Sequence, residues 1–399
     1  MSTAVMTNRL ELNSLAETTL KAATRFWFLV VLIGQSVFAF SVASFYGLPA
    51  LRGDFHGWSK HITHGHIPGD TMGNFAVGMH LFSAVVIILA GVLQLVPQIR
   101  NRFPVFHRWN GRLYVVTAFT ISIAGLYMMW IRGSVGDLSQ NLGTSLMAVL
   151  IMLCAGMVLR YAMARDFRTH RRWALRLYLV VSASLFIRAG LFLSFILNHG
   201  PFGFDPATFR GPFLTFISFA QYLVPLAVLE LYFRTQERAG AVGRLAMAAS
   251  LFMLTIALGA GIFAVTMAIW VPQVKAAYDP RTSVAETLSA TIVSRGIDQA
   301  AKQYYELKAA VPATYNFDED ELNSLGYQLI GAKKFKEAIR ILELNAEAYP
   351  RSGNVYDSLA EAYMDDGNKP QAIANYQKSL ELNPKNAGAV QMLRKLNAP

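Results

Sequence analysis

Three of the eight histidines in this 399-residue chain, His80, His107 and His170, fall inside or at the edge of strongly apolar stretches. Polar groups in such surroundings are costly and mark function by default. At 1.5 Å per residue, His80 sits on the order of 10 Å below the end of its stretch. His107 opens the run His107-Arg108-Trp109-Asn110-Gly111-Arg112-Leu113-Tyr114, and His170 opens His170-Arg171-Arg172-Trp173-Ala174-Leu175-Arg176-Leu177-Tyr178. The two runs echo one another at the same edge of alternate stretches. Neutral imidazoles on facing helices can hold a haem iron from both sides, and bundle cores are common cofactor sites. His107 and His170 would serve one haem b. His80 would serve a second, completed by Met147, Met152 or His199. The competing readings are an interfacial anchor for His107 and His170, and an interhelical hydrogen bond for His80.

Arg188 is the other unusual residue, set within an apolar stretch at a depth close to that of His80. A buried guanidinium needs an anion, a cluster of carbonyls or water, so Arg188 is a candidate for a carboxylate, a haem propionate or a quinone oxygen. The alternatives are an outward snorkel or a bond between helices. His61, His64 and His66, with His56 and Asp70 nearby, could converge on zinc or copper in a turn, or simply keep a loop soluble. The nucleophile elbow, the phosphate loop and the His-Glu-x-x-His pattern are all absent, so no catalytic residues are assigned. Cys154 is the single cysteine, which excludes an internal disulfide and thiolate metal sites.

The elements that must position these groups are apolar and long. Hydrophobic residues make up 54% of the chain and charged residues 15%, against roughly 25% charged in a soluble domain. Seven stretches, near 26–50, 74–97, 108–131, 144–163, 173–197, 212–234 and 246–270, are long enough to span a bilayer. The first could be a secretory signal, since Ser41-Val42-Ala43 resembles a cleavage site, but its long preceding segment favours an uncleaved span. The expected class is all-α: a polytopic helical membrane bundle, 26–271, with a four-helix unit at about 74–197. A linker at 272–284 and a small α-solenoid at 285–399 follow.

Residues 1–274 carry 21 basic and 9 acidic residues, and residues 275–399 carry 15 and 16. The excess sits in short loops, as orientation charge does, and no basic stripe suggests nucleic acid as a partner. Arg100, Arg102 and Arg108, then Arg160, Arg165, Arg168, Arg171, Arg172 and Arg176, then Arg234, Arg238 and Arg244 fill the even-numbered loops. The positive-inside rule makes those loops and residues 1–25 cytoplasmic, and seven spans then put the C-terminal domain across the inner membrane. The lipid bilayer is the first partner implied. No pair of glycine-broken spans in matching positions argues for solute transport.

Pro350 and Pro384, Ala338 and Ala372, and Gly326 and Ala360 are each 34 residues apart. This period, with Leu325, Leu359, Tyr363, Gly367, Tyr376 and the Glu-Leu-Asn-Pro ending at Glu381–Pro384, resembles the tetratricopeptide repeat over about 285–397. Ala300, Tyr304 and Pro312 suggest an earlier partial unit, and Ala387–Leu396 a closing helix. The resemblance implies a groove for a protein or peptide partner; capping of the bundle or self-association is the alternative.

His80, the His-Arg-x-x-Gly-Arg run at 107–112 and His-Arg-x-Trp at 170–173 resemble DUF2306, a bacterial membrane family of unknown function, over roughly 75–200. That resemblance implies placement in a membrane and no activity. The spacing of His107 and His170 is similar to that of transmembrane b-type cytochromes of the b561 kind, which implies haem b and electron transfer.

Overall fold

The computed structural model describes residues 3–51, 53, 58, 65–67, 69–134, 136–205 and 208–397. The chain divides into two compact units, Met1–Tyr278 and Asp279–Pro399.

The first unit is a helical bundle. α1 (Thr3–Val42) continues through a π turn, Ala43–Gly47, into the short α2 (Leu48–Leu51). After α3 (Thr71–Leu95) and the short α4 (Pro97–Arg102), α5 (Pro104–Tyr127) ends in a second π turn, Met128–Arg132. α6 (Leu138–Met163), α7 (Phe167–Val181), α8 (Ala183–Asn198) and α9 (Pro212–Arg238) follow. α10 (Ala241–Val265) runs through a third π turn, Thr266–Trp270, into α11 (Val271–Tyr278). Six helices among the described residues are long and apolar enough to cross a membrane, and seven if α7 and α8 form one bent span.

Aspartates start three of these helices. Asp70 accepts from the Gly73 amide at 2.9 Å, Asp137 from Gln140 at 2.9 Å and Asp166 from Thr169 at 3.1 Å, each satisfying an amide that the helix leaves orphaned. Inside lipid, apolar burial gives helices little reason to associate, and close approach of small residues does more. α10 meets α8 at Gly261, where a Cβ would stand 2.1 Å from the carbonyl oxygen of Ala189. Ala118, Ala155 and Ala183 are fully buried in the same core. Buried polar groups are partnered across helices: Asn110 Nδ2 donates to Ala90 O at 2.9 Å, and Tyr222 Oη to Gly143 O at 3.2 Å.

One feature adds to the sequence expectation and one differs from it. The segment before the first span is helical, and its Leu20 and Ala23 pack against Met247, Ala248 and Leu251 of α10. The fifth span is broken, with α7 and α8 meeting at 48°. Ser182, fully buried, sits at the break, and Leu185 N reaches its carbonyl at 3.0 Å in a three-residue bond. Ser182-Ala183-Ser184 is a serine-type kink without proline or glycine.

The second unit stacks helices in pairs: α12 (Val284–Arg295) with α13 (Ile297–Ala310), α14 (Glu319–Gly331) with α15 (Phe335–Ala348), and α16 (Gly353–Asp365) with α17 (Lys369–Leu382). α18 (Ala387–Asn397) closes the stack. A two-residue parallel ladder, β1 (Thr282–Ser283) with β2 (Tyr315–Asn316), ties the start of the unit to the loop before α14. The 34-residue spacing has a steric cause. Ala338, Ala360 and Ala372 are fully buried, Tyr304 and Tyr376 fill the gaps between layers, and a Cβ on Gly326 would stand 2.6 Å from Leu342. Helix pairs of this kind bury a continuous core only by stacking.

Candidate functional site

One end of the bundle, where α3 begins and α1, α5 and α8 finish, encloses a cavity of about 630 Å³. Its walls come from α1, α3, α5, α6, the end of α7, α8, α11 and the three π turns. Tyr46 belongs to the first turn, Met129 and Arg132 to the second, and Ile269 and Trp270 to the third. A π turn adds a residue to the helical turn and re-aims the side chains on it, and such turns recur at functional sites.

The cavity brings together two of the residues singled out from the sequence, His80 and Arg188. His80 Nδ1 lies 3.2 Å from Ile121 O, and the imidazole packs where Gly125 of α5 carries no side chain. Nδ1 donating to that carbonyl leaves Nε2 as the unprotonated ring nitrogen. Arg188 donates from Nη1 to Ser184 O at 2.7 Å, and its guanidinium lies 4.8 Å over the ring of Phe38. By surface area Arg188 is exposed, yet it stands among protein atoms of α1, α3 and α8, as a cavity-wall residue must.

Arg132 is the cavity residue that sequence reasoning missed, because it reads as an ordinary loop charge. Only 4% of its side chain is accessible; Nε stands 3.4 Å from Asp70 Oδ2, and Nη2 reaches Asn74 Oδ1 at 3.3 Å. Nη1 has no hydrogen-bond partner. No signal in the sequence marks it beyond its place at the end of an apolar run. No carboxylate lines the cavity among the described residues, whereas two guanidiniums do.

His107 and His170 lie at the opposite, arginine-rich end and outside this cavity. His107 O accepts from Gln94 Nε2 at 2.8 Å, and His170 Nδ1 stands 3.0 Å from Val158 O. Around them the arginines pair: Arg168 and Arg172 with Glu237, and Arg176 Nη2 with Glu230 Oε1 at 2.6 Å. Arg172 and Arg176 also stack on Phe233 and Trp173, each at 4.8 Å. Of the proposed metal histidines, His61 and His64 lie outside the described residues, and His66 precedes α3. Among the described residues no group of three or more His, Cys, Asp or Glu is placed to hold a metal ion.

Residues 77–211 match a family described as a predicted membrane protein, DUF2306. That DUF2306 region carries His80, His107, Arg132, His170 and Arg188. Residues 353–386 match the tetratricopeptide repeat, so the chain joins a DUF2306 membrane region to a repeat module. Neither the curated proteins nor the solved structures give a match.

In the repeat module the first helix of each pair leaves one face free of the core. Asn323 and Tyr327 of α14 are followed 34 residues later by Asp357 and Glu361 of α16. Tyr327 Oη donates to Glu361 Oε2 at 2.5 Å, and Asn386 Nδ2 donates to Asp357 Oδ1 at 2.8 Å. Asp365 continues the row at the same helical spacing. Burial raises all three carboxyls above their ordinary values. Asp357 and Asp365 push Glu361 further up, and the Tyr327 hydroxyl partly offsets this. None of the three forms an ion pair among the described residues, although Lys336 and Arg340 on neighbouring helices pair with other acids.

Proposed function

We propose that this protein is an inner-membrane anchor whose bundle holds the tetratricopeptide module on the extracytoplasmic side, where the module captures a protein or peptide partner. The observation that carries the reading is the row Asp357, Glu361 and Asp365 beside exposed Tyr327 on the free face of the stack. A carboxylate row without ion-pair partners among the described residues, with Asp357 and Glu361 half-buried and Asp365 exposed, favours a segment bearing Lys or Arg, which would supply the missing charge. The arginine-rich loops support a cytoplasmic N-terminus and, with the bent pair counted as one span, an extracytoplasmic C-terminus.

Removing residues 279–399 should abolish co-purification of specific partners, and D357N with E361Q should weaken it in the intact chain. An unchanged partner set for both variants refutes the reading. Green fluorescent protein fused after Pro399 should stay dark, since it does not mature when exported by the general secretory route; bright cells refute the orientation alone.

A second reading, electron transfer through haem b, rests on His80. Its Nδ1 is anchored on a carbonyl, as metal-ligating histidines usually are, and Met147 lines the same cavity. His80 and Met147 would hold the iron and Arg188 a propionate, and the group would supply one-electron chemistry. The purified protein should then show a Soret band that shifts on dithionite reduction; a featureless spectrum removes this reading.

A further inference from the structure

We propose that the cavity at the α3-entry end of the bundle binds an oxyanion-headed amphiphile, its carboxylate or phosphate on Arg188 and its chain along Ile87, Ile88, Ile151 and Val181.

Three observations carry this. The first is the charge inventory: two guanidiniums line the space and no carboxylate does, so Arg188 has no counter-ion among the described residues. Asp70 offsets Arg132 from behind, yet Nη1 of that 4%-accessible side chain is left without an acceptor. Arg188 therefore faces the cavity with no counter-charge among the described residues, and an oxyanion bound there would supply one. The second is the polarity gradient. Counted along the helices, Arg132, Ser134, Thr144, Tyr46 and Gln273 stand nearest the ends of their elements, His80, Arg188 and Ser122 further in, and Ile87, Ile88 and Ile151 beyond them. Ile88 is two helical turns past His80 on α3, about 12 Å deeper along the span, enough for the first part of an acyl chain. The third is construction. Arg188 is held by Ser184 O and Phe38, and Arg132 by Asp70 and Asn74, so both guanidiniums are fixed before any ligand arrives. An anion without a chain would leave the deep aliphatic walls unfilled, and a chain without an anion would leave Arg188 without a counter-charge.

Trp270 reports on occupancy, because it lines the cavity and stacks on Phe38 at 5.2 Å. The full-length protein in mild detergent is titrated with 9,10-dibromostearate, with a phosphatidate carrying the same chain, and with 9,10-dibromostearyl alcohol. Bromine quenches nearby tryptophan. Saturable quenching by one or both oxyanion probes is expected at least about tenfold below the alcohol, the least a charge-assisted hydrogen bond should give. W270F should lose the saturable component. R188Q should erase the preference and leave the alcohol unchanged; A84F, which puts a bulky side chain on the cavity wall, should block all three probes. Response to stearate alone or to phosphatidate as well tells a free carboxylate from a lipid phosphate, and either outcome supports the site. Equal affinity for acid and alcohol overturns the proposal. So does an acid preference that survives R188Q, or a resident haem that the probes do not displace.

Discussion

Gly261 offers a measurement of how tightly α8, which carries Arg188, packs against α10. A Cβ at this position would lie 2.1 Å from the carbonyl oxygen of Ala189, 2.7 Å from its carbonyl carbon and 3.0 Å from its Cα. All three atoms are backbone, so no rotamer change relieves the clash. Restoring an ordinary contact of about 3.4 Å requires α8 and α10 to part by roughly 1.3 Å at the crossing, and overpacking of this kind costs about 1–3 kcal/mol. Gly259, half a turn away on α10, is the control, because a Cβ there meets only Val30 at 3.7 Å. Both glycine-to-alanine changes gain the same helix propensity, about 1 kcal/mol, so their difference isolates the steric effect. In a bundle of this size the difference corresponds to roughly 2–12 °C in melting temperature. The assay is a thermal melt in detergent followed by tryptophan fluorescence. G261A should melt well below G259A, and, because Ala189 adjoins Arg188, it should also blunt the acid-over-alcohol preference. Equal melting of the two variants would refute the close crossing of α8 and α10.

The raised carboxyls of the repeat module make its stability depend on pH in a defined direction. Groups protonated more readily when folded stabilise at low pH, and that contribution is lost as pH rises through their raised folded values. Hydrogen-exchange protection of α14 and α16, corrected for intrinsic rates, should therefore increase as pH falls from neutrality toward the carboxylate range. E361Q should be more protected than the parent at pH 7 and respond less to pH. Below that window the trend should reverse, because Arg281 holds Asp279 below its ordinary value and its contribution disappears as it protonates. D70A should cost about 1 kcal/mol through the lost cap and release Arg132, read as a lower melt together with altered titration of the amphiphile probes. N110L removes the cross-helix donor to the Ala90 carbonyl, which keeps its helical amide partner, and should lower stability by about 0.5–1.5 kcal/mol in the same melt.

The architecture was legible because its signals are long and repeated. Apolar runs of span length and a 34-residue period survive any error at a single residue, and α14 to α17 fall where Gly326, Ala338, Ala360 and Ala372 place them. The break at Ser182 was not legible, since it rests on a local hydrogen-bond shift and not on proline or glycine. The candidate site was half legible. His80 and Arg188 stand out as polar residues in apolar runs, and the structure places them on one cavity. Arg132 could not be paired with them, because its partners Asp70 and Asn74 are about 60 residues away and its side chain is aimed by a π turn that composition does not announce. His107 and His170 share the arginine-rich end of the bundle, but sequence spacing does not reveal that they sit outside the cavity.

Three spans each carry their extra residue at the same end of the bundle, in Ala43–Gly47, Met128–Arg132 and Thr266–Trp270. A wide turn is an inserted residue that the helix has absorbed instead of expelling as a loop. Deleting one residue from Met128–Arg132 would let α5 close into regular geometry, and everything beyond would rotate by about 100°. Arg132 would swing off Asp70 while the upstream contacts of α5 stayed in register. The mouth of the bundle can thus be re-tuned one residue at a time, with the lower half of each span unaware of the change.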